Sequence, residues 1–152
     1  MHSANKGKLT GYGMAPEGIE NNEVIYELVS DGGWTADVID VDKWLYNYSL
    51  CRYGSVSDKV TEFWDGMRKS VYGSFTDHPR YNWQFRPGSI RKGSINANDA
   101  FYQGIETLGN AIPDMKDSPL FAVDMVEMTV QYLGGKVEIL AQAIDLAYQN
   151  GD

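Results

Sequence analysis

One carboxylate in this chain lies in a short segment that restricts the backbone around it. Glu17 stands between Pro16 and Gly18. Proline fixes its own φ angle and disfavours helical angles at the residue before it, whereas glycine permits angles that other residues avoid. The pattern predicts a turn that holds Glu17 in a defined direction. Such a carboxylate suits glycosidic bond cleavage, as nucleophile or proton donor. The alternative is an ordinary loop glutamate, since charged residues collect in loops.

A long connection is the second region that could take part in chemistry. Residues 73–96 show no helical pattern, and compact domains seldom carry such long connections unless they have a function or are disordered. Residues 75–87 are rich in aromatic, arginine and amide side chains, which stack on sugar rings and hydrogen-bond to hydroxyls. Trp83 is therefore a candidate substrate-binding residue. Alternatively, Trp83 and Phe85 pin the loop to the helices.

The elements that would position these residues are helices. Apolar residues recur at helical spacing in four segments before the last one: 22–31, 40 to about 53, 55 or 57 to about 71, and about 98 to 112. Asp40 is a favoured N-cap and Gly54 a favoured C-terminal glycine, so they predict the ends of the second helix. We expect Gly32-Gly33 to end the first helix, with Trp34 packed in the connecting turn.

A long helix is predicted after Pro119. Its apolar residues alternate at spacings of three and four, which defines a heptad seam of Val123, Val126, Val130, Leu133, Val137, Leu140, Ile144 and Ala147. Such a seam is typical of packing within a bundle, and a homodimer is the alternative. Gly134-Gly135 interrupts it, which predicts either close approach to a neighbouring helix or a break.

Several short motifs occur in one order along the chain, and together they are more specific than any one alone. They are Gly13-Met14-Ala15-Pro16-Glu17-Gly18-Ile19-Glu20-Asn21-Asn22, Val24-Ile25-Tyr26-Glu27-Leu28, Val41-Asp42-Lys43-Trp44-Leu45, Arg52-Tyr53-Gly54 and Ser70-Val71-Tyr72. In this order and at this spacing, the chain resembles the α-N-acetylglucosaminidase family of glycoside hydrolases. The resemblance extends from about Gly11 to the helix that begins near Pro119.

The resemblance implies roles for particular residues. In that family the glutamate of the Pro-Glu-Gly motif lies at the end of a late strand of a (β/α)8 barrel, so Glu17 corresponds to the nucleophile of a retaining mechanism. A histidine of the loop corresponding to residues 73–96 contacts the substrate pocket, which points to His78. Cys51 departs from the family, which has an arginine before the one at Arg52. From helical spacing alone, Cys51 shares a face with Trp44 and is predicted to lie in the core.

The resemblance and the periodicity together predict a mainly α-helical chain: a helical bundle or array preceded by the end segment of a (β/α)8 barrel. Residues 1–21 would end the catalytic barrel, and residues 22–152 would form a C-terminal helical domain that is incomplete. The family's acid/base glutamate lies upstream, in barrel sequence that this chain does not contain. Glu20, Glu23 and Glu27 are poor substitutes, because they are interpreted as charges near a helix N-terminus.

The function implied by the resemblance is removal of terminal α-linked N-acetylglucosamine from glycans, with retention and without a cofactor. Its partners would be a glycan and the remainder of the barrel, and the isolated chain is expected to be inactive. Two alternatives stay open: a non-catalytic helical module that binds carbohydrate through residues 75–87, or an interaction domain that uses the terminal seam.

Composition excludes other classes of function. The formal charge of −8 and the pI near 4.7 argue against non-specific nucleic-acid binding, which needs a basic surface. No apolar run approaches the ~20 residues of a membrane span. Cys51 is the only cysteine, so no internal disulfide is expected. His2 and His78 are isolated, which predicts no metal site. The amino terminus has no signal pattern, and the compartment and oligomeric state stay open.

Overall fold

The computed structural model describes residues 7–14, 23–72 and 99–151, and these ranges contain helices and no strand. The helices are α1 (Glu23–Trp34), α2 (Val41–Tyr53), α3 (Asp58–Arg68), α4 (Asp99–Asn110), α5 (Ile112–Met115) and α6 (Pro119–Asn150). The predicted mainly α-helical fold is confirmed. The chain divides into two compact units, residues 1–48 and 49–152, with the boundary inside α2.

In the first unit, side chains connect α1 to the beginning of α2. The indole Nε1 of Trp44 donates to Asp31 Oδ2 at 2.7 Å, and the Trp44 ring stacks on Tyr48 with centroids 5.3 Å apart. The prediction for the end of α1 is wrong: the helix continues through Gly32-Gly33 to Trp34, and Trp34 is 92% exposed rather than packed. The ring of Tyr12 occupies the space beside Gly33, so a contact rather than a helix end accounts for this glycine.

Both predicted ends of α2 are confirmed. The backbone N–H groups of Asp42 and Lys43 donate to Asp40 Oδ1 at 3.1 and 3.2 Å, which satisfies donors that the first helical turn leaves open. Gly54 follows the helix with φ +81°, the left-handed conformation that glycine adopts without steric cost. The chain is thereby turned directly into α3.

The core of the second unit lies between α3, α4 and the first turns of α6. Its buried apolar side chains are Val60, Phe63, Trp64, Met67, Phe101, Ile105, Leu108, Ala111, Met115, Phe121 and Met128. The apolar residues that recur at helical spacing in the third predicted segment therefore lie in the core where they belong to α3. Ile112, the last residue of the fourth predicted helix, is half exposed, because α4 ends at Asn110 and a new helix begins.

Cys51 is exposed, so its predicted place in the core is wrong. The buried positions on α2 are instead Leu45, Tyr48, Ser49 and Tyr53, which are spaced by three, one and four residues along one helical face. Buried Ser49 accepts a hydrogen bond from Trp64 Nε1 at 2.8 Å. The polar serine is thus the residue that packs inward, and the cysteine lies outside that face.

The last helix is continuous through Gly134-Gly135. A Cβ atom added at Gly135 would lie 2.8 Å from Tyr102 Oη and 3.3 Å from the Phe101 ring, so close approach to α4 is confirmed and a break is not. Seven residues of the heptad seam are 42–70% exposed: Val123, Val126, Val130, Leu133, Val137, Leu140 and Ile144. The described helices therefore do not cover the face that was predicted to pack within the bundle, because α6 packs a different face against them. None of the described helices is both long and apolar enough to cross a membrane.

Candidate functional site

Glu17, His78 and Trp83, the three predicted site residues, lie outside the residues that the structure describes. Their roles and the domain boundary at residues 21 and 22 stay predictions. The structure shows how the chain on either side of each of them is held.

The segment before Glu17 is attached to the helix that follows it. Tyr12 Oη donates to the carbonyl oxygen of Ser30 at 3.4 Å, and the Tyr12 ring lies against Gly33, where an added Cβ would be 2.8 Å from Cε1. Downstream of Glu17, α1 begins at Glu23. The chain therefore enters and leaves residues 15–22 from two elements that are in contact.

The acidic residues at the start of α1 fit the role predicted for them. Glu23 lies in the first turn, where the helix dipole favours a negative charge, and both Glu23 and Glu27 are exposed.

Two glycines hold together the ends of the connection that carries His78 and Trp83. A Cβ added at Gly66 would lie 2.9 Å from the carbonyl oxygen of Ala100 and 3.2 Å from Gly104 Cα. A Cβ added at Gly104 would lie 3.4 Å from the Phe63 carbonyl oxygen. Because earlier residues of α3 meet later residues of α4, the two helices run antiparallel in backbone contact. Sequence reasoning missed this pair, although helix-interior glycines were its visible signal.

The last residues before that connection are also fixed. Ser70 is fully buried, and its Oγ donates to the Gly66 carbonyl oxygen at 2.8 Å. The N–H of Tyr72 donates to the Met67 carbonyl oxygen at 3.0 Å. The chain is therefore held against the end of α3 as far as Tyr72.

The Arg52-Tyr53-Gly54 motif connects α2 to α6. Arg52 binds Asp124 through two hydrogen bonds, Nε to Oδ2 at 2.7 Å and Nη2 to Oδ1 at 2.6 Å. Tyr53 Oη also donates to Asp124 Oδ2 at 2.7 Å, and the Tyr53 ring meets Phe121 edge-on at 5.5 Å. Asp124 is buried, and three donors compensate for its lost hydration.

Sequence reasoning also missed Asp124. Its signal was a single carboxylate between the apolar residues Val123 and Met125 in the first turns of a long helix. One of the five motifs on which the family resemblance is based therefore has a structural role here, because it joins two helices.

A polar cluster covers the outer edge of the contact between α4 and α6. Tyr132 Oη donates to Glu106 Oε1 at 2.9 Å, and Lys136 Nζ lies 4.0 Å from the centroid of the Tyr102 ring. The hydrogen bond to Glu106 is the largest cause that raises the pKa of Tyr132, followed by burial and the negative charge of Glu106. The cluster joins the two helices at their surface.

No group of three or more histidine, cysteine, aspartate or glutamate side chains suited to a metal ion occurs within residues 7–14, 23–72 and 99–151. Several acidic side chains of these ranges form helix caps or ion pairs. Asp114, for example, accepts a hydrogen bond from Lys59 Nζ at 2.8 Å.

Most of the chain matches the models of two domains of one enzyme family. "Alpha-N-acetylglucosaminidase (NAGLU) C-terminal domain" matches residues 44–152. "Alpha-N-acetylglucosaminidase (NAGLU) tim-barrel domain" matches residues 1–36, which include the Pro-Glu-Gly motif. Among curated proteins, Alpha-N-acetylglucosaminidase of Homo sapiens is 31% identical over 147 residues, covering 92% of this chain and 20% of that protein.

Solved structures of a bacterial enzyme are similar to the chain as well. A Family 89 Glycoside Hydrolase from Clostridium perfringens in complex with PUGNAc is 26% identical, with a TM-score of 0.74, and the match covers 86% of this chain and 16% of that one. A Clostridium perfringens variant with two glutamates replaced by glutamine, in complex with its substrate GlcNAc-alpha-1,4-galactose, is 27% identical with a TM-score of 0.75. The chain thus spans about one fifth or less of the length of these relatives.

Proposed function

This chain belongs to the α-N-acetylglucosaminidase family, and from that premise we propose that it is the C-terminal portion of a glycosidase that removes terminal α-linked N-acetylglucosamine from glycans. The observation that carries the proposal is the pair of family matches in one order. The barrel-domain match contains Glu17 in its Pro-Glu-Gly motif, and the helical-domain match follows it to the end of the chain.

The reaction proceeds with retention and without a cofactor. Retaining glycosidases use two carboxyl groups about 5–5.5 Å apart. Glu17 attacks the anomeric carbon, while the second carboxyl group gives its proton to the leaving oxygen. That second group then takes a proton from water, and the water oxygen displaces Glu17 from the sugar. The bacterial variant that binds its substrate with two glutamates replaced by glutamine supports such a carboxyl pair.

The substrate-binding residues in this proposal are His78 and Trp83. The indole of Trp83 stacks on a sugar face, and His78 hydrogen-bonds to hydroxyl groups. The support from the structure is indirect: the Gly66–Gly104 contact brings the two ends of their connection together. A connection anchored at both ends loses less conformational entropy when it binds a ligand.

The isolated chain is inactive in this account. Glu23 and Glu27 are exposed near the beginning of α1, so neither is placed as a proton donor, and the second carboxyl group comes from the barrel. Sugar binding by His78 and Trp83 alone would leave the glycosidic bond intact.

The test is a chimeric enzyme in which this chain replaces the matching region of the Clostridium perfringens hydrolase. The chimera should release the chromophore from an aryl α-N-acetylglucosaminide. Glu17→Gln should lower kcat by at least about 10³-fold, since it removes the nucleophile. Glu20→Gln, three residues away in the same motif, is the matched control and should stay within tenfold of the parent. Full activity of the Glu17→Gln chimera would contradict the proposal.

The exposed heptad seam of α6 favours a second candidate function, an interaction domain. Its a positions are Val123, Val130, Val137 and Ile144, and its d positions include Leu133 and Leu140. β-Branched residues at a and leucine at d favour two-stranded parallel coiled coils. This candidate therefore commits to a second copy of the chain as the partner.

Sedimentation velocity over a range of concentrations separates the two candidates. A self-associating chain should dissociate on Leu133→Asp, whereas Gln142→Asp, on the same helix outside the seam, should leave the assembly intact. A monomer at all concentrations would remove this second candidate and leave the glycosidase proposal untouched.

A further inference from the structure

Residues 9–14 lie at the surface with apolar side chains and an open backbone. All six are exposed, including the large apolar side chains of Leu9, Tyr12 and Met14. Within the described part of the chain, their backbone N–H and C=O groups form no hydrogen bond with the backbone of another segment. Backbone groups left open in this way are a template for pairing with a further strand. The segment therefore has room for neighbours that the described residues do not supply.

The two glycines of this segment also lack a close neighbour. A Cβ atom added at Gly11 or Gly13 would meet nothing within 4 Å, and neither residue has a positive φ angle. At Gly33 and Gly66, in contrast, an added Cβ would lie 2.8 and 2.9 Å from another part of the chain. Glycine in a strand often marks a place where another backbone approaches closely. Gly11 and Gly13 thus fit a neighbour from outside the described residues.

The apolar band of α1 is only partly covered. Val24, Leu28, Ile25 and Val29 span about 140° of the helix circumference, since successive residues are about 100° apart. Val24, at one edge of the band, is 5% exposed, whereas Ile25 and Val29, at the other edge, are 41% and 36% exposed. An apolar stripe on a helix normally faces a core. The half of the band that contains Ile25 and Val29 therefore faces a place where a core partner fits.

The two uncovered regions adjoin. Gly33 follows Val29 by one turn on the same side of α1, and the ring of Tyr12 lies against Gly33. Tyr12 Oη also donates to the Ser30 carbonyl oxygen at 3.4 Å. Residues 9–14 and the exposed edge of α1 thus form one surface, which we call the open surface. Its large apolar side chains are Leu9, Tyr12, Met14, Ile25 and Val29.

The open surface has the properties of one strand-and-helix unit taken out of a barrel. Residues 1–36 match the tim-barrel domain of the family, whereas a complete barrel has eight strands, each followed by a helix, in about 250 residues. A closed barrel pairs every strand on both sides, and its helices form an outer ring around the strands. The open backbone of residues 9–14 and the exposed edge of α1 lie where such neighbours belong.

We propose that the open surface binds the rest of a (β/α)8 barrel and that this contact buries Leu9, Ile25 and Val29. Backbone hydrogen bonds join residues 9–14 to the neighbouring strands, and apolar packing holds α1. A second copy of the chain is a poorer occupant, because it closes one side of residues 9–14 whereas a barrel closes both. The inference rests on the proposed function and deepens it, since it names the surface through which the chain meets its barrel.

Engineered cysteines report whether the surface is covered. Leu9→Cys, Ile25→Cys and Val29→Cys each place one thiol on the open surface, and Glu27→Cys is the matched control on the opposite side of α1. Trypsin releases residues 9–43 as one peptide, which contains no native cysteine. Mass spectrometry of this peptide gives the rate at which iodoacetamide modifies each variant.

The comparison is between the isolated chain and the chimeric hydrolase. In the isolated chain the four thiols should react at similar rates, because all four positions are exposed. In the chimera the three thiols of the open surface should react at least about tenfold more slowly, while Glu27→Cys should stay within about twofold of its rate in the isolated chain. Equal rates for Ile25→Cys and Glu27→Cys in the chimera would overturn the proposal.

A second arm does not depend on the folding of the fused protein. The rest of the bacterial hydrolase, added to the isolated chain as a separate polypeptide, should protect the same three thiols. Absence of protection in both arms would overturn the proposal. Protection that appears in the isolated chain as its own concentration rises would assign the surface to a second copy, and would overturn it equally.

The thiol rates are measured without substrate, so they are independent of the catalytic test. A fully active Glu17→Gln chimera would refute the proposed function, while protection of Leu9→Cys and Ile25→Cys would still stand. Loss of activity in that chimera without protection of these thiols would instead refute the open surface as the contact with the barrel.

Discussion

The two faces of α6 differ in a way that their hydropathy does not indicate. One face carries Phe121, Asp124 and Met128 and is buried. The other carries valine and leucine side chains at regular heptad spacing, such as Val130 and Leu133, and is exposed. The buried face includes a carboxylate and the exposed face includes none, so burial here follows specific partners rather than apolar content.

The partners explain the difference. Asp124 is buried because Arg52 and Tyr53 supply three hydrogen bonds to it, and Gly135 allows Tyr102 to approach the helix backbone. Leu133 has no such complementary surface within the described part of the chain, although it is as apolar as any core residue. Four sets of substitutions sharpen or break this comparison.

The largest effect is expected at the polar centre of the buried face. Asp124→Ala should lower the free energy of unfolding by about 3–5 kcal/mol, because it leaves the mostly buried Arg52 guanidinium without its carboxylate. Urea denaturation measures the change. The control is Asp117→Ala, an exposed aspartate, which should change the stability by less than about 0.5 kcal/mol. Equal effects of the two substitutions would contradict the structural role of the Arg52-Tyr53-Gly54 motif.

The second-largest effect is expected when an apolar residue of the buried face is truncated, in comparison with one of the exposed face. Met128 is 7% exposed and Leu133 is 56% exposed. Met128→Ala should lower the free energy of unfolding by about 2–3 kcal/mol through a cavity, whereas Leu133→Ala should cost less than about 0.5 kcal/mol. Denaturation at low protein concentration keeps association out of the comparison. A larger loss at Leu133 would show that the seam is the packed face.

Glycine substitutions probe the close approach on the buried face. Gly135→Ala should destabilise the chain by about 1–2 kcal/mol, because the new Cβ would lie 2.8 Å from Tyr102 Oη and the ring must move. Gly109→Ala adds the same group in α4 where nothing lies within 4 Å, so it should stabilise the chain by up to about 1 kcal/mol. Thermal unfolding monitored by circular dichroism shows whether each substitution raises or lowers the stability. Stabilisation by Gly135→Ala would contradict the close approach.

The smallest effect is expected in the polar cluster at the outer edge of the contact between α4 and α6. The pKa of Tyr132 is raised above 10.0, first by its hydrogen bond to Glu106. The protonated phenol is therefore favoured in the folded state, and its contribution to stability is complete below pH 10 and lost as the pH rises through the folded value. Glu106→Gln should move the pKa of Tyr132 back towards 10.0. Phenolate absorbance measures it, and an unchanged titration would contradict the assigned cause.

Local signals in the sequence predicted the helices and the two ends of α2. Asp40 and Gly54 marked the ends of α2 because capping is decided by one or two residues, and the spacing of apolar residues indicated the helix that became α3. Gly134-Gly135 predicted either close approach to a neighbouring helix or a break, and the structure shows the close approach at Gly135. These features depend on short-range chemistry, which a sequence displays.

The features that sequence reasoning missed depend on partners far along the chain. Nothing near Asp124 reveals that Arg52, 72 residues earlier, will bind it. The exposure of Cys51 was wrongly predicted because helical spacing gives a face without saying what covers it. The exposure of Trp34 was missed because α1 continues through the glycines that were expected to end it. The roles of Glu17 and His78 were predicted by resemblance, and that of Trp83 by the aromatic composition of its loop, since the residues in isolation show only a restricted turn and an aromatic loop.

The most direct test of the account is to identify the nucleophile as a covalent adduct. A slow-reacting fluorinated N-acetylglucosaminyl donor should trap the glycosyl-enzyme of the chimeric hydrolase, and trypsin should release the adduct within residues 9–43, since no lysine or arginine lies between Lys8 and Lys43. Fragmentation of that peptide by mass spectrometry should place the sugar on Glu17. A sugar on Glu20, Glu23 or Glu27, or on a peptide outside this chain, would contradict the central claim.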